Sequence, residues 1–227
     1  MTLQAQHSKT FRVRAFGERA CFTRPELKVE RVSYEVMTPS AARGVLEAIF
    51  WKPAIAWQIR RIEVHAPIRF LQLKRNEVGK RAISPDRYQV AGDKAYSLLE
   101  SDNERQQRNT MYLADVDYVI EANFSLTERA GPDENFAKFE AIFERRLSKG
   151  QCFHRPYLGC REFACDVEPA DPERRPAPLT KPLGLMLHDI EFGDVNRAHF
   201  FEAKLHNGVL DVPPFLPGRL AGAAVTS

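Results

Sequence analysis

The residues best able to do chemistry in this chain stand close together. Between Phe136 and Arg161 run six lysines or arginines (Lys138, Arg145, Arg146, Lys149, Arg155 and Arg161) against two glutamates, a local balance of +4 in a protein of formal net charge +3. Cations in the last turn of a helix complement its dipole, for a few tenths to about 1 kcal/mol each. That covers Arg145, Arg146 and Lys149. It does not cover Arg155 and Arg161, which lie beyond Gly150, where a helix would stop. A surface of this kind neutralises a phosphate backbone. His154, between Phe153 and Arg155, is the histidine best placed for acid–base work.

A second basic set comprises Lys74, Arg75, Lys80, Arg81, Arg105 and Arg108, interleaved with Asn76, Gln106, Gln107 and Asn109. Amides beside arginines can hydrogen-bond base edges, although such a run is also what a solvated loop looks like. Other chemistries find no support. The six histidines show no HxH or HExxH spacing, and the four cysteines, Cys21, Cys152, Cys160 and Cys165, form no C-x-x-C pair. No metal site or cofactor is therefore expected, and the thiols are read as reduced. There is no GxSxG, phosphate loop or GxGxxG. The N-terminal stretch lacks the apolar run of a signal peptide and no segment has membrane length, so a cytoplasmic protein without membrane contact is expected.

The elements that must position these residues can be read from periodicity. The stretch "FRVRAF" alternates Phe11, Val13 and Ala15 against Arg12 and Arg14, a half-buried strand. At "TPSAARGVLEAIF", Thr38 can cap and Pro39 suits the first turn of a helix ending near Trp51 to Pro53. In "AIAWQIRRIEVHAPIRF" the apolar parity switches between Ile59 and Ile62, which predicts a bulge near Arg60 and Arg61. Residues 71–108 read as a polar, irregular insert, too long for an ordinary loop. Every even position from Tyr112 to Phe124 is apolar or aromatic, which only a strand explains. A helix follows from about Asp133 to Lys149, with Phe136, Phe139, Phe143 and Leu147 on one stripe, and "PYLGCREFACDV" reads as a further strand.

The order β, α, β, insert, β, α, β is that of the ferredoxin-like plan that RNA-recognition modules share. The expected fold is thus α+β: a ferredoxin-like domain over residues 8–168, then a proline-rich linker and a small C-terminal antiparallel β-sheet over 169–227. That sheet includes a hairpin turning at Asn207-Gly208. A generic single-strand RNA-binding module would carry an RNP-like aromatic string, and none is present.

Four stretches, "RVSYEVMTPSAARGVLEAIFWKPAI", "RQQRNT", "DVDYVIEANF" and "ERRLSKGQCFHRPYLGCREF", together resemble the CRISPR-associated Cas-five family in its type I-C (Dvulg) variant, over nearly the whole chain. The resemblance implies a protein that cuts precursor CRISPR RNA at the base of each repeat hairpin. It then stays on the 5′ handle beside the other subunits of the interference complex, with DNA as a further possible partner. It also implies a metal-independent reaction, in which the RNA's own 2′-OH attacks the neighbouring phosphate and leaves a 2′,3′-cyclic phosphate and a 5′-OH.

Such a reaction needs a base, a cation for the phosphorane and an acid for the leaving oxygen. In the family a Tyr and a Lys-His pair serve, at positions matching Phe50, Lys138 and Phe139 here. Only the lysine matches, and a phenyl ring can neither give nor accept a proton. Three readings stay open: a substitute proton-transfer group, Tyr34 or His154; a weak enzyme relying on Lys138; or a non-cutting subunit that caps the 5′ end of the guide. The expected site is Lys138, Tyr34 and His154 for catalysis, with Arg145, Arg146, Lys149, Arg155, Arg161, Arg105 and Arg108 on RNA.

Overall fold

The structure is a computed structural model that describes residues 7–27, 29–78, 105–191 and 196–215. Its elements in chain order are β1 (Phe11–Ala20), β2 (Arg31–Val32), α1 (Pro39–Ile49), β3 (Ile55–Val64), β4 (Phe70–Val78), β5 (Arg105–Leu126), α2 (Phe136–Ser148), β6 (Asp166–Pro169), β7 (Lys181–Glu191), β8 (Arg197–His206) and β9 (Val209–Asp211). The molecule is a mixed α+β fold dominated by antiparallel sheet. One path of strands runs β6-β1-β5-β3-β9-β8-β7, and β2 and β4 are added along the first half of β5.

Strand β5 is the spine. Its even side chains from Tyr112 to Phe124 are all buried, and those of β1 that face the same way, Phe11, Val13 and Ala15, join them. Both helices cover its Val116–Phe124 part, whereas Tyr112 and Ala114 pack with Cys21, Cys160 and Phe163. Phe143 of α2 sits 4.8 Å, ring to ring, from both Phe11 and Trp57. The Thr38 hydroxyl accepts from the Ala41 N–H at 3.3 Å to open α1, and the Asn135 amide oxygen accepts from the Lys138 N–H at 2.9 Å to open α2. Gly150, with φ +62°, ends α2.

The opposite face of the sheet is ionic. Arg12 makes a two-pronged bond to Glu63 (2.8 and 3.0 Å), and Arg14 makes another to Asp117 (3.0 and 2.8 Å) and reaches Glu168 at 2.6 Å. These are the alternating arginines of "FRVRAF". Their charge is matched within the sheet and is not left for a ligand.

Two periodicity expectations hold in detail. The β3–β5 register shifts between Ile59 and Arg61, the bulge that the parity switch requires. The β8–β9 hairpin turns on Asn207 (φ 49°) and Gly208 (φ 78°), a pair of left-handed residues that suits the twist of its strands.

Three expectations change. The ends of the 71–108 insert are regular: Phe70–Val78 pairs residue by residue with Arg105–Leu113, because the backbone groups of two polar segments still pair when an existing strand continues past the core. Residues 79–104, with Lys80 and Arg81, lie outside the described residues. The stretch "PYLGCREFACDV" is mostly a turn, since Gly159 adopts φ +83° and the Leu158 and Phe163 N–H groups bond within 158–163; only Asp166 onward is strand. The C-terminal strands do not form a separate sheet, because β9 pairs with β3 through Arg61–Asp211, Ile62–Leu210 and Glu63–Val209. The proline-rich stretch crosses the ionic face and is held there: Ala170 N–H donates to Arg12, Ala177 N–H to Val64, and Arg174 pairs with Asp117.

Candidate functional site

The C-terminal end of α1 presents carbonyls with no partner inside the helix, and residues from α2 and the loop after it satisfy them. The Arg146 guanidinium donates to Ile49 O at 2.8 Å, and the Phe153 and His154 N–H groups point at Ala48 O, at 2.7 and 3.5 Å. Part of the basic helix end therefore caps a different helix. This use of Arg146 follows from tertiary contact and has no trace in local sequence.

Phe50, the C-cap of α1, is buried with its ring 5.8 Å from that of Phe139, at 49° between planes. Arg146 lies over the Phe50 ring at 5.2 Å, and the Lys52 ammonium over the Phe139 ring at 5.7 Å. Lys52 is tied to Glu134 at 3.2 Å. The Gly131 N–H and the Lys52 ammonium, both bonded to that carboxylate, hold it below the usual range. Lys138, in the first turn of α2, projects its side chain to solvent. His154, also exposed, stacks on Tyr157 at 6.2 Å and 28°, with Nδ1 3.2 Å from Arg155 O. The fold thus gathers Phe50, Phe139, Arg146 and Lys52 at the meeting of α1 and α2, with Lys138 beside Phe139 in sequence and His154 anchored to the same end of α1.

Tyr34 does not join them. It is 2 % exposed, and its hydroxyl accepts the Leu187 N–H at 3.2 Å. Burial pushes its phenol up, away from service as a base at neutral pH. It precedes the Thr38 cap, at the far end of an eleven-residue helix from Phe50, a helix length of ~16 Å.

Of the residues expected on RNA, Arg145, Lys149 and Arg161 are exposed. Arg155 pairs with Asp166 at 2.6 Å on an open surface, where such pairs exchange readily with a ligand. Arg108 faces Glu30 at 3.7 Å, and only the backbone of Arg105 is described. The strand arm formed by β4 and the start of β5 is pinned to the 158–163 turn. Arg75 and Arg31 both pair with Glu162, the latter at 3.3 Å, and Arg31 also reaches Glu77 at 3.6 Å.

Two features escaped sequence reading. Lys52 stands two residues after Phe50 in "AIFWKP", so its place beside Phe50 is a signal carried by the sequence itself. Cys160, buried, has its sulfur 3.3 Å from Arg31 Nη1 and 3.6 Å from Cys21 O. Hydrogen bonding from the Cys21 thiol, with the Arg31 charge, outweighs burial and draws the Cys160 thiol below the usual range. The Cys21 thiol is pushed up in turn. No group of three or more His, Cys, Asp or Glu with metal-holding geometry occurs among the described residues.

This β-rich α+β fold is shared with known proteins. Residues 10–214 match the family model for CRISPR-associated protein (Cas_Cas5), in its Cas5d form. The chain is 50% identical over 217 residues to the CRISPR pre-crRNA endoribonuclease Cas5d of Mannheimia succiniciproducens, covering 90% of this chain and 95% of that one. It is 42% identical over 221 residues to the protein of the same name from Thermus thermophilus, covering 89% and 90%. A CRISPR-associated protein of known crystal structure superposes with a TM-score of 0.68 at 25% identity, covering 92% of this chain and 94% of that one. The chain belongs to the CRISPR-associated Cas5d family.

Proposed function

We propose that this chain is a precursor CRISPR RNA endoribonuclease that binds the repeat hairpin, cuts at its base and stays on the 5′ handle as a subunit of a type I-C interference complex. The family match and the two relatives named as pre-crRNA endoribonucleases support the activity. The sheet order β6-β1-β5-β3, with α1 between β1 and β3 and α2 between β5 and β6, supports a ferredoxin-like reading of the core. The other subunits and target DNA are further partners on this reading. No helix among the described residues is long and apolar enough to cross a membrane, and the proposed place of action is the cytoplasm, where the precursor RNA is made.

The observation that carries the assignment is the convergence of Phe50, Phe139 and Lys138. The segments that carry Phe50 and Lys138-Phe139, far apart in sequence, meet at one helix junction, and the resemblance implies reactive groups at these positions. In the proposed reaction the 2′-oxygen bonds to the adjacent phosphorus as its proton passes to a base, and the bond from phosphorus to the 5′-oxygen breaks as that oxygen takes a proton. The products are a 2′,3′-cyclic phosphate and a 5′-OH. Lys138, free to swing from the first turn of α2, stabilises the crowded phosphorane. His154 is the exposed titratable group at this end of α1 and takes the proton-transfer role; buried Tyr34 does not.

The buried phenyl rings of Phe50 and Phe139 favour one second reading, a subunit that caps the guide's 5′ end without cutting. Single-turnover cleavage of repeat hairpin RNA in EDTA separates the two. Lys138→Ala is expected to slow cutting by about 10²-fold with little change in affinity, and an unchanged rate would remove Lys138 from the site. A parent protein that binds the RNA and never cuts it would leave the capping subunit.

A further inference from the structure

Phe153 is 80% exposed, although its backbone is fixed by the 2.7 Å bond to Ala48 O. A single exposed aromatic needs no explanation. This one opens a row: the Phe153 and His154 rings lie 6.1 Å apart at 70°, and those of His154 and Tyr157 6.2 Å apart at 28°. Trp51, 55% exposed, follows the C-cap at the same end of α1. The row is bracketed by charge of one sign, since residues 145–161 contain Arg145, Arg146, Lys149, Arg155 and Arg161 and no aspartate or glutamate. Aromatic faces among cations are the composition of a single-strand nucleic-acid platform, where bases stack on rings while phosphates track the charge. A protein partner would meet the same rings, but exposed Arg145, Lys149 and Arg161, with Arg155 in an open pair with Asp166 that a ligand can exchange, fit a polyanion better.

We propose that Phe153 is the stacking platform for an unpaired nucleobase flanking the repeat hairpin, with Lys149 and Arg145 contacting the adjoining phosphates. This rests on the RNA-binding reading given above and adds to it the recognition of unpaired bases beside the stem. The platform would place the single-stranded flank against His154 and the helix junction, so that the scissile linkage enters in register.

The test compares two RNAs, a hairpin with single-stranded flanks carrying 2-aminopurine in the unpaired positions and the same hairpin trimmed to blunt ends. Phe153→Ala is expected to weaken binding of the flanked RNA by about five- to a hundredfold, to abolish the 2-aminopurine quench, and to leave the blunt hairpin unaffected. Phe153→Tyr should keep both affinity and quench. Because stacking releases no counterion, Phe153→Ala should retain the parental salt slope, whereas Lys149→Ala should lower it by about 0.7 to 0.9. Parental affinity and quench in Phe153→Ala would overturn the platform and leave the RNA-binding reading standing. So would intact RNA binding with lost association to the other complex subunits, which would assign the row to a protein contact. Failure of the parent to bind either RNA would overturn the broader reading itself.

Discussion

On the proposed function, Phe50 and Phe139 take the place of proton-transfer groups, and their environment says what introducing such groups would do. Phe50 lies under the Arg146 guanidinium and Phe139 under the Lys52 ammonium, so a phenol or imidazole placed there would face a cation. Phe50→Tyr with Phe139→His is expected to raise single-turnover cleavage about 10²-fold or more while leaving RNA affinity nearly unchanged, since a proton-transfer group acts in the transition state. An unchanged rate, in protein whose unfolding profile matches the parent's, would place the proton-transfer chemistry elsewhere, with His154→Ala then the damaging change. Cys160 carries a second prediction at this scale. Its folded-state value lies below the ~8.5 of an unfolded cysteine. It therefore adds stability that is present above the unfolded value and is lost as pH falls through the folded one. Urea unfolding should show the parent gaining stability as pH rises toward the ~8.5 of an unfolded cysteine, and Cys160→Ser should flatten that rise. Parallel profiles would show that the thiolate contributes nothing.

Among the elements, the turn between α2 and β6 is tightly constrained at one glycine. At Gly159, with φ +83°, an added Cβ would stand 2.1 Å from Cys21 O, a backbone atom that cannot move without displacing β1. Gly150 is also left-handed, at φ +62°, yet an added Cβ there meets nothing within 4 Å. Conformation alone therefore predicts a loss of about 1 kcal/mol for Gly150→Ala, whereas strain and collision together predict about 3 kcal/mol or more for Gly159→Ala. Denaturant unfolding of the two variants checks the contrast, and similar losses would mean that the turn can shift away from β1. The helix stop at Gly150 was legible in the sequence as the end of an apolar stripe. Gly159 was not, because its requirement comes from a strand more than a hundred residues earlier.

At the scale of the whole molecule, the question is whether the C-terminal strands stand alone. Leu183, Met186, Leu187, Ala203, Leu205 and Leu210 pack in the same core cluster as Val45, Leu46 and Phe124, and Arg43 of α1 grips Asp189 of β7 with two 2.8 Å bonds. A sheet and a main core shared by both parts of the chain should melt together. Calorimetry of the full chain is expected to give a single cooperative transition, and a chain ended at residue 168 should lose much of that stability because it uncovers β3 and one side of α1. Two separated transitions would show that residues 169–227 fold as their own unit.

What the sequence determined by itself was local. Period-two burial made β1 and β5 readable, the parity switch placed the bulge at Arg60, Asn207-Gly208 announced its hairpin, and Thr38 and Gly150 marked helix ends, because each depends on neighbours within one turn or one strand. The motifs also carried the family, and with it the candidate positions Phe50, Lys138 and Phe139. The tertiary structure alone decided which basic residues remain open to a ligand. Arg12 and Arg14 are matched across the sheet, Arg146 caps a helix it does not belong to, Tyr34 is sealed beneath β7, and Phe153 with Lys149 is left facing solvent. Charge and residue type are written in the chain, whereas the partner that neutralises or buries a side chain arrives from a distant segment, and only the packed fold brings the two together.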